Sequence, residues 1–202
     1  GANAVRLSTS TPSGFSDVTH FVIAPDPQPQ VLFRQDVLVD DAFDLFAVPV
    51  SGGTAVRLNA TNVATRALEP DFAASPDGAY VVFRGNFSTA GKVELYSAST
   101  TGGQGSALKI CPVPPAGGNI EAFAIDATSA RVVFAGDALT AGRSELFSVP
   151  IAGPAVQAVR LHPAAGANEN VSAFALAPDG ARVAFLADLT TEGRDALWTA
   201  PV

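Results

Sequence analysis

A phenylalanine closes a β-branched or leucine-bearing run four times along this chain, as QVLF at Phe33, YVVF at Phe83, RVVF at Phe134 and RVAF at Phe185. The spacings are 50, 51 and 51 residues. A fixed period of that length constrains the fold more than any composition value, because each period must be one supersecondary unit stacked on the next. Ahead of the phenylalanines stand HFVIAPD, DFAASPDG, AFAIDATS and AFALAPDG; behind them, after a polar loop, come DLFAVPV, ELYSAST, ELFSVPI and ALWTAPV. Three units then run on into AVRL, ALKI and AVRL. Short apolar runs punctuated by Gly, Pro, Asp and Asn read as four strands per unit.

The fourth unit stops at Val202, one strand short, while the chain opens on GANAVRLS, the segment that unit lacks. Phe185 to Val202 is 17 residues, and a further 33 leads to Phe33, so the count around the seam is again 50. Four-stranded units of about 50 residues that close circularly predict a β-propeller. The expected fold is therefore all-β, with four four-stranded blades and the N-terminal strand completing the last. The blades span about 18–60, 68–111, 119–162, and 170–202 plus 1–8, in a single domain over residues 1–202. Each unit offers an aromatic on its first three strands, which accounts for twelve of the sixteen aromatics. Large side chains are needed to fill the wide wedges between so few blades. Two chains forming one eight-bladed ring, a homodimer, and membership of a larger protein remain alternatives.

The turns Ser75–Gly78 and Ala177–Gly180, with degenerate versions at Ala24–Pro27 and Asp126–Ser129, precede a β-branched strand ending in Phe. This arrangement resembles the WD40-like repeat propellers of the TolB type over the whole chain. TolB-type propellers usually carry six blades and an additional domain, against four units here. Ten Arg against two Lys, with abundant Ala, read as a bacterial source, and the resemblance implies a periplasmic or secreted protein that binds other proteins.

The residues narrow the function mainly by exclusion. A net charge of −7 argues against nucleic acid and anionic membrane as partners. No apolar run approaches the 18 residues of a membrane span. The chain contains no methionine and so reads as a processed or excised product. With Cys111 the only cysteine, no intrachain disulfide can form.

Propellers usually work through the loops that lead into strand one and those that join strands two and three. Near the first of these, Asp17, Glu69, Glu121 and Glu169 are candidate ligands for calcium or another cation at the axial mouth. Alternatively they are solvated loop-end charges. His20, Arg66, Asp71, Asn119 and Asn170 are the candidate partner-binding residues. An Asp or Asn three residues after each Phe (Asp36, Asn86, Asp137, Asp188) recurs in every unit and so reads as a turn cap. His20 and His162 lie in different units, and neither G-x-S-x-G nor H-E-x-x-H occurs. Cys111 has no clear activating neighbour and is expected to be inert. The expected function is a non-catalytic protein- or peptide-binding or scaffold module of the cell envelope or exterior, with no cofactor. The alternatives are a propeller accessory or gating domain of a hydrolase or peptidase, and a cation-binding structural propeller.

Overall fold

The computed structural model describes residues 4–10, 17–25, 29–37, 39–60, 68–163 and 170–202. Its regular structure is four antiparallel meanders and one 3-10 turn at Ala155–Gln157. The first sheet is β1 (Val18–Ile23), β2 (Gln30–Asp36), β3 (Phe43–Pro49) and β4 (Val56–Arg57), in that order. The second is β5 (Leu68–Ala74), β6 (Tyr80–Gly85), β7 (Glu94–Ser99) and β8 (Leu108–Lys109). The third is β9 (Ile120–Ile125), β10 (Arg131–Gly136), β11 (Glu145–Pro150) and β12 (Val159–Arg160). The fourth has three strands, β13 (Val171–Leu176), β14 (Arg182–Ala187) and β15 (Ala196–Pro201). The chain packs as two compact units, residues 1–91 with 96–107 and residues 92–95 with 108–202.

The repeated aromatics are in register. Phe21 pairs with Phe33 and Phe33 with Phe46; Phe123, Phe134 and Phe147 form the same row, as do Phe174, Phe185 and Trp198. Residues directly opposite each other in an antiparallel pair point to one face, so each row is a continuous aromatic stripe. The rings stack at 5.4 Å for Phe33–Phe46, 5.6 Å for Phe83–Tyr96 and 5.3 Å for Phe134–Phe147.

Alternation along the strands gives each sheet two apolar faces, and within each compact unit a face of one sheet meshes with a face of the next. In the first unit, Leu32, Leu45 and Ala47 of the first sheet pack against Phe72, Val81, Phe83 and Tyr96 of the second. In the second unit, Val133, Ala135 and Leu146 of the third sheet pack against Val183, Phe185 and Ala187 of the fourth. Within each compact unit the aromatic stripe of the later sheet thus faces the earlier one. Phe83 and Phe134 are fully buried, each contributing roughly 2–3 kcal/mol through the area removed from water.

The turns joining strands one and two hold themselves together. Asp77 Oδ1 accepts from the Ser75 hydroxyl (2.6 Å) and the Ala79 amide (3.0 Å), and Asp179 Oδ1 accepts from the Ala181 amide (3.0 Å). Gly78 and Gly180 sit at φ +72, and Ser129 takes the same left-handed conformation at φ +62. A Cβ at Gly78 would lie 2.2 Å from the Pro25 carbonyl oxygen, so glycine there permits close approach as well as the turn.

The expected closure of the fourth sheet by the N-terminal strand is not detected among the described residues. Residues 4–7 form no strand, and Leu7 packs instead on the aromatic face of the first sheet, against Phe33, Phe46 and Val48. The physical reason lies in the repeat. Leu58 and Leu161 hold the same place in their units, and each packs on the aromatic face of the following sheet within its compact unit. Leu7 does likewise on the first sheet.

Candidate functional site

In the first unit the opening strands β1 and β5 flank a cleft of about 450 Å³ lined by Thr19, His20, Arg34, Pro70, Asp71 and Phe72. His20 stands edge-on to Phe72, with ring centroids 5.0 Å apart. Arg34, from β2, donates through Nη1 to Thr19 Oγ1 (2.8 Å) and through Nε to the Leu68 carbonyl (3.2 Å). Its guanidinium carbon lies 3.5 Å from the Phe43 ring centroid. Burial lowers the Arg34 pKa from its ordinary value, opposed by Glu69, Asp36 and Asp41. On the far wall Asp71 is gripped by Arg84, whose Nε and Nη2 reach Oδ2 and Oδ1 at 2.9 Å each. The cleft therefore offers a cation, a hydroxyl and a carboxylate fixed by cross-strand bonds, and an imidazole held edge-on against Phe72. Thr19 Oγ1 accepts its bond from a guanidinium, which cannot take up a proton, so Thr19 and Arg34 are not a nucleophile–base pair.

The second unit has a cleft of about 420 Å³ in the corresponding place, between β9 and β13. Its lining is different: Glu121 accepts from the Ser144 hydroxyl (2.9 Å), Ser172 donates to Asp195 (2.5 Å), and Ala122, Ala173 and Phe174 supply apolar surface. The scaffold repeats while the lining changes.

Of the expected cation ligands, Asp17 precedes β1 and receives an Asp36 carboxylate contact on its amide (2.6 Å), and Glu69 is half-buried near Arg34. Glu121 faces the second cleft, and Glu169, like the expected binding residue Arg66, lies outside the described residues. Among the described residues no three His, Cys, Asp or Glu side chains come together so as to hold a metal ion. His20 and Asp71 share the first cleft. Asn119 and Asn170 have structural bonds instead, their Oδ1 atoms accepting from the Val93 amide (2.7 Å) and the Ser144 amide (2.9 Å).

The recurring aspartates cap turns. Asp36, Asp137 and Asp188 each accept, through Oδ2, the amide five residues on, at 3.3, 2.7 and 2.9 Å. Asp188 also accepts the Asn170 amide at 2.5 Å, and these backbone bonds, Asn170 first, lower its pKa.

Sequence reasoning missed a buried lock between the third and fourth strands. Asp44 faces Arg57 at 3.7 Å, Glu94 faces Lys109 at 3.0 Å, and Glu145 faces Arg160 at 2.9 Å. Beside each pair a side chain accepts the next leucine's amide: Asn59 for Leu45 (2.8 Å), Cys111 for Leu95 (3.1 Å) and His162 for Leu146 (3.3 Å). The signal was available as an acid before each leucine and a basic–apolar–polar triplet after the strand. The lock also explains two reactive-looking residues. Burial raises the Cys111 thiol to about 12, and burial lowers the pKa of His162. Asn59, which opens an N-x-[ST] sequon, is fully buried.

No protein-family model matches the chain, and no curated protein matches it in sequence. Solved structures do. A protein assigned as TolB from Agrobacterium tumefaciens matches at TM-score 0.51 and 14% identity, over 97% of this chain and 76% of that one. An oligogalacturonate lyase in complex with manganese matches at 0.54 and 16%, over 92% and 48%. Oligopeptidase B from Leishmania major matches at 0.59 and 11%, over 94% and 25%. The chain thus spans between a quarter and a half of the length of these two enzymes. At such identities the likeness establishes the fold alone, a propeller-type array of antiparallel sheets of the kind found in TolB and in the propeller domains of peptidases.

Proposed function

We propose that this chain is a non-catalytic binding module of the propeller type, acting in the bacterial envelope or outside the cell, with a protein or peptide as its partner. The partner docks at the cleft beside the opening strands of the first unit. The observation that carries this is the pair of equivalent clefts. The backbone scaffold is repeated, yet Thr19, His20 and Asp71 in one unit give way to Glu121, Ala122 and Ala173 in the other. Residues that serve only folding repeat with the scaffold, as the leucines and phenylalanines do; residues that read a ligand need not. An extended peptide suits the first cleft, since Arg34 and Asp71 flank it with opposite charges and His20 supplies a ring edge and a hydrogen-bonding nitrogen.

A peptide array read with the labelled chain tests this. The expected result is a set of retained sequences whose binding falls about tenfold in His20→Ala, the loss corresponding to roughly one hydrogen bond of ~1.4 kcal/mol. No retained peptide, or retention indifferent to His20→Ala, overturns it. A second reading, a propeller accessory or gating domain of a peptidase, draws support from the fold shared with oligopeptidase B and the prolyl endopeptidases. It predicts that the selected peptides are substrates of a hydrolase domain carried on the same polypeptide.

A further inference from the structure

Both sheets of the first unit carry an arginine directly after the phenylalanine of their second strand, Arg34 in β2 and Arg84 in β6. In the second sheet that guanidinium has a carboxylate opposite. Asp71 precedes Phe72 on β5, and its two oxygens take Arg84 Nε and Nη2 at 2.9 Å each. In the first sheet the residue paired with Arg34 is His20, which precedes Phe21 on β1. A neutral imidazole brings no negative charge, so the same scaffold position holds a cation without its counter-charge.

Arg34 is nevertheless fixed in place. Nε donates to the Leu68 carbonyl, Nη1 donates to Thr19 Oγ1, and the guanidinium carbon lies 3.5 Å from the centroid of the buried Phe43 ring. Its remaining N–H groups, both of those on Nη2 included, have no acceptor among the described residues, and it makes no ion pair there. The carboxylates around it are otherwise engaged or stand off. Asp36 accepts the amides of Asp17 and Asp41, Asp71 has both oxygens on Arg84, and Glu69 acts on Arg34 only through space. A half-buried guanidinium has lost water that nothing in the chain replaces, which favours an entering anion. Oriented N–H donors on a planar fork suit a carboxylate in particular.

We propose that Arg34 reads a carboxylate of the bound peptide, which takes in the first sheet the place that Asp71 takes in the second. This rests on the first-unit cleft being the peptide site. The carboxylate belongs to an acidic side chain or to the C-terminus of the peptide, since both present the same pair of oxygens. The second-unit cleft does not share the preference. Ala135 follows Phe134 where Arg34 follows Phe33, and Glu121 lines that cleft instead.

A peptide array with each sequence in paired forms tests the assignment, glutamate against glutamine and free against amidated C-terminus. Neutralising the carboxylate of a retained peptide is expected to weaken binding about ten- to hundredfold, the range of a charge-assisted hydrogen bond. Sensitivity to glutamine identifies a side chain as the source, and sensitivity to amidation identifies the terminus. Two variants assign the effect to Arg34. Arg34→Gln removes the cation, whereas His20→Asp keeps it and supplies the cross-strand carboxylate that Arg84 has. Circular dichroism and thermal unfolding show which variants retain the wild-type fold; should Arg34→Gln not, His20→Asp decides. The ratio of affinities for the charged and neutral peptides should fall to about one in each folded variant. His20→Asn, which adds no charge, should weaken binding and keep the ratio. Retained peptides indifferent to their carboxylates, or a ratio that survives in a folded Arg34→Gln or His20→Asp chain, overturn the assignment and leave the cleft as a peptide site. An array that retains nothing overturns both.

Discussion

His162 provides the sharpest test of the lock between third and fourth strands. The ring is 7% exposed. Its Nε2 accepts the buried Leu146 amide at 3.3 Å, and its Nδ1 lies 2.7 Å from the Pro163 carbonyl, which fixes the proton on Nδ1. Protonating Nε2 removes the acceptor and sets one donor against another. Replacing His162 with Ala leaves the Leu146 amide buried without a partner, a loss of about 1–3 kcal/mol, with a further cost for the cavity left by the ring. Replacing it with Asn, the residue at this place in the first unit, retains an acceptor and should cost less than His162→Ala. The pH dependence has a definite sign. Burial lowers the folded-state pKa below the ordinary 6.5, so the unfolded chain binds the proton more tightly. The stability contributed by neutral His162 is complete above pH 6.5 and is lost as pH falls through the folded-state value. Urea unfolding followed by Trp198 fluorescence, repeated at steps below neutrality, measures this directly. The wild type should lose stability that His162→Asn keeps, the difference between the two curves isolating the imidazole. Equal acid sensitivity in both proteins, or a His162→Ala variant as stable as the wild type, refutes the reasoning.

Other perturbations separate the remaining forces. Gly78→Ala should cost well over the ~1 kcal/mol of a left-handed alanine, because its Cβ meets Pro25. Gly142→Ala, at φ +71 with nothing within 4 Å, should cost only the conformational part; chemical denaturation compares them. Glu94→Ala strands the ammonium of Lys109 beside a buried site and should cost about 3–5 kcal/mol, whereas the half-exposed Asp71–Arg84 pair should yield under about 1 kcal/mol in a double-mutant cycle. Cys111, fully buried and raised to about 12, should resist a thiol reagent at mildly alkaline pH in the folded chain and react completely once unfolded.

The repeat was legible because the fold uses the same residues for the same contact each time. Phe33, Phe83, Phe134 and Phe185 align in sequence since each lies in the middle of its sheet's aromatic row. The destination of residues 4–8 was not legible for a related reason. An outer-strand leucine packs on the following sheet while its backbone pairs with the preceding one, and the sequence pattern records only the packing. Leu7 follows that pattern on the first sheet. The site was harder still. The acids near strand one were grouped by proximity to a Phe, but β5 carries one residue more than β9 or β13 between its first ladder pair and its Phe. Asp17, Asn119 and Asn170 then prove to be one structural set, their carbonyls accepting the amides of Asp36, Asp137 and Asp188. Side chains at such joints are chosen for backbone satisfaction, which no motif announces.

Amide chemical-shift mapping with an array-selected peptide tests the proposed recognition role most directly. Binding at the first-unit cleft predicts shifts concentrated at Thr19, His20, Asp71 and Phe72, with the Asp77–Ala79 and Asp179–Ala181 turns unmoved. Shifts confined to those turns, or none at saturating peptide, would contradict it.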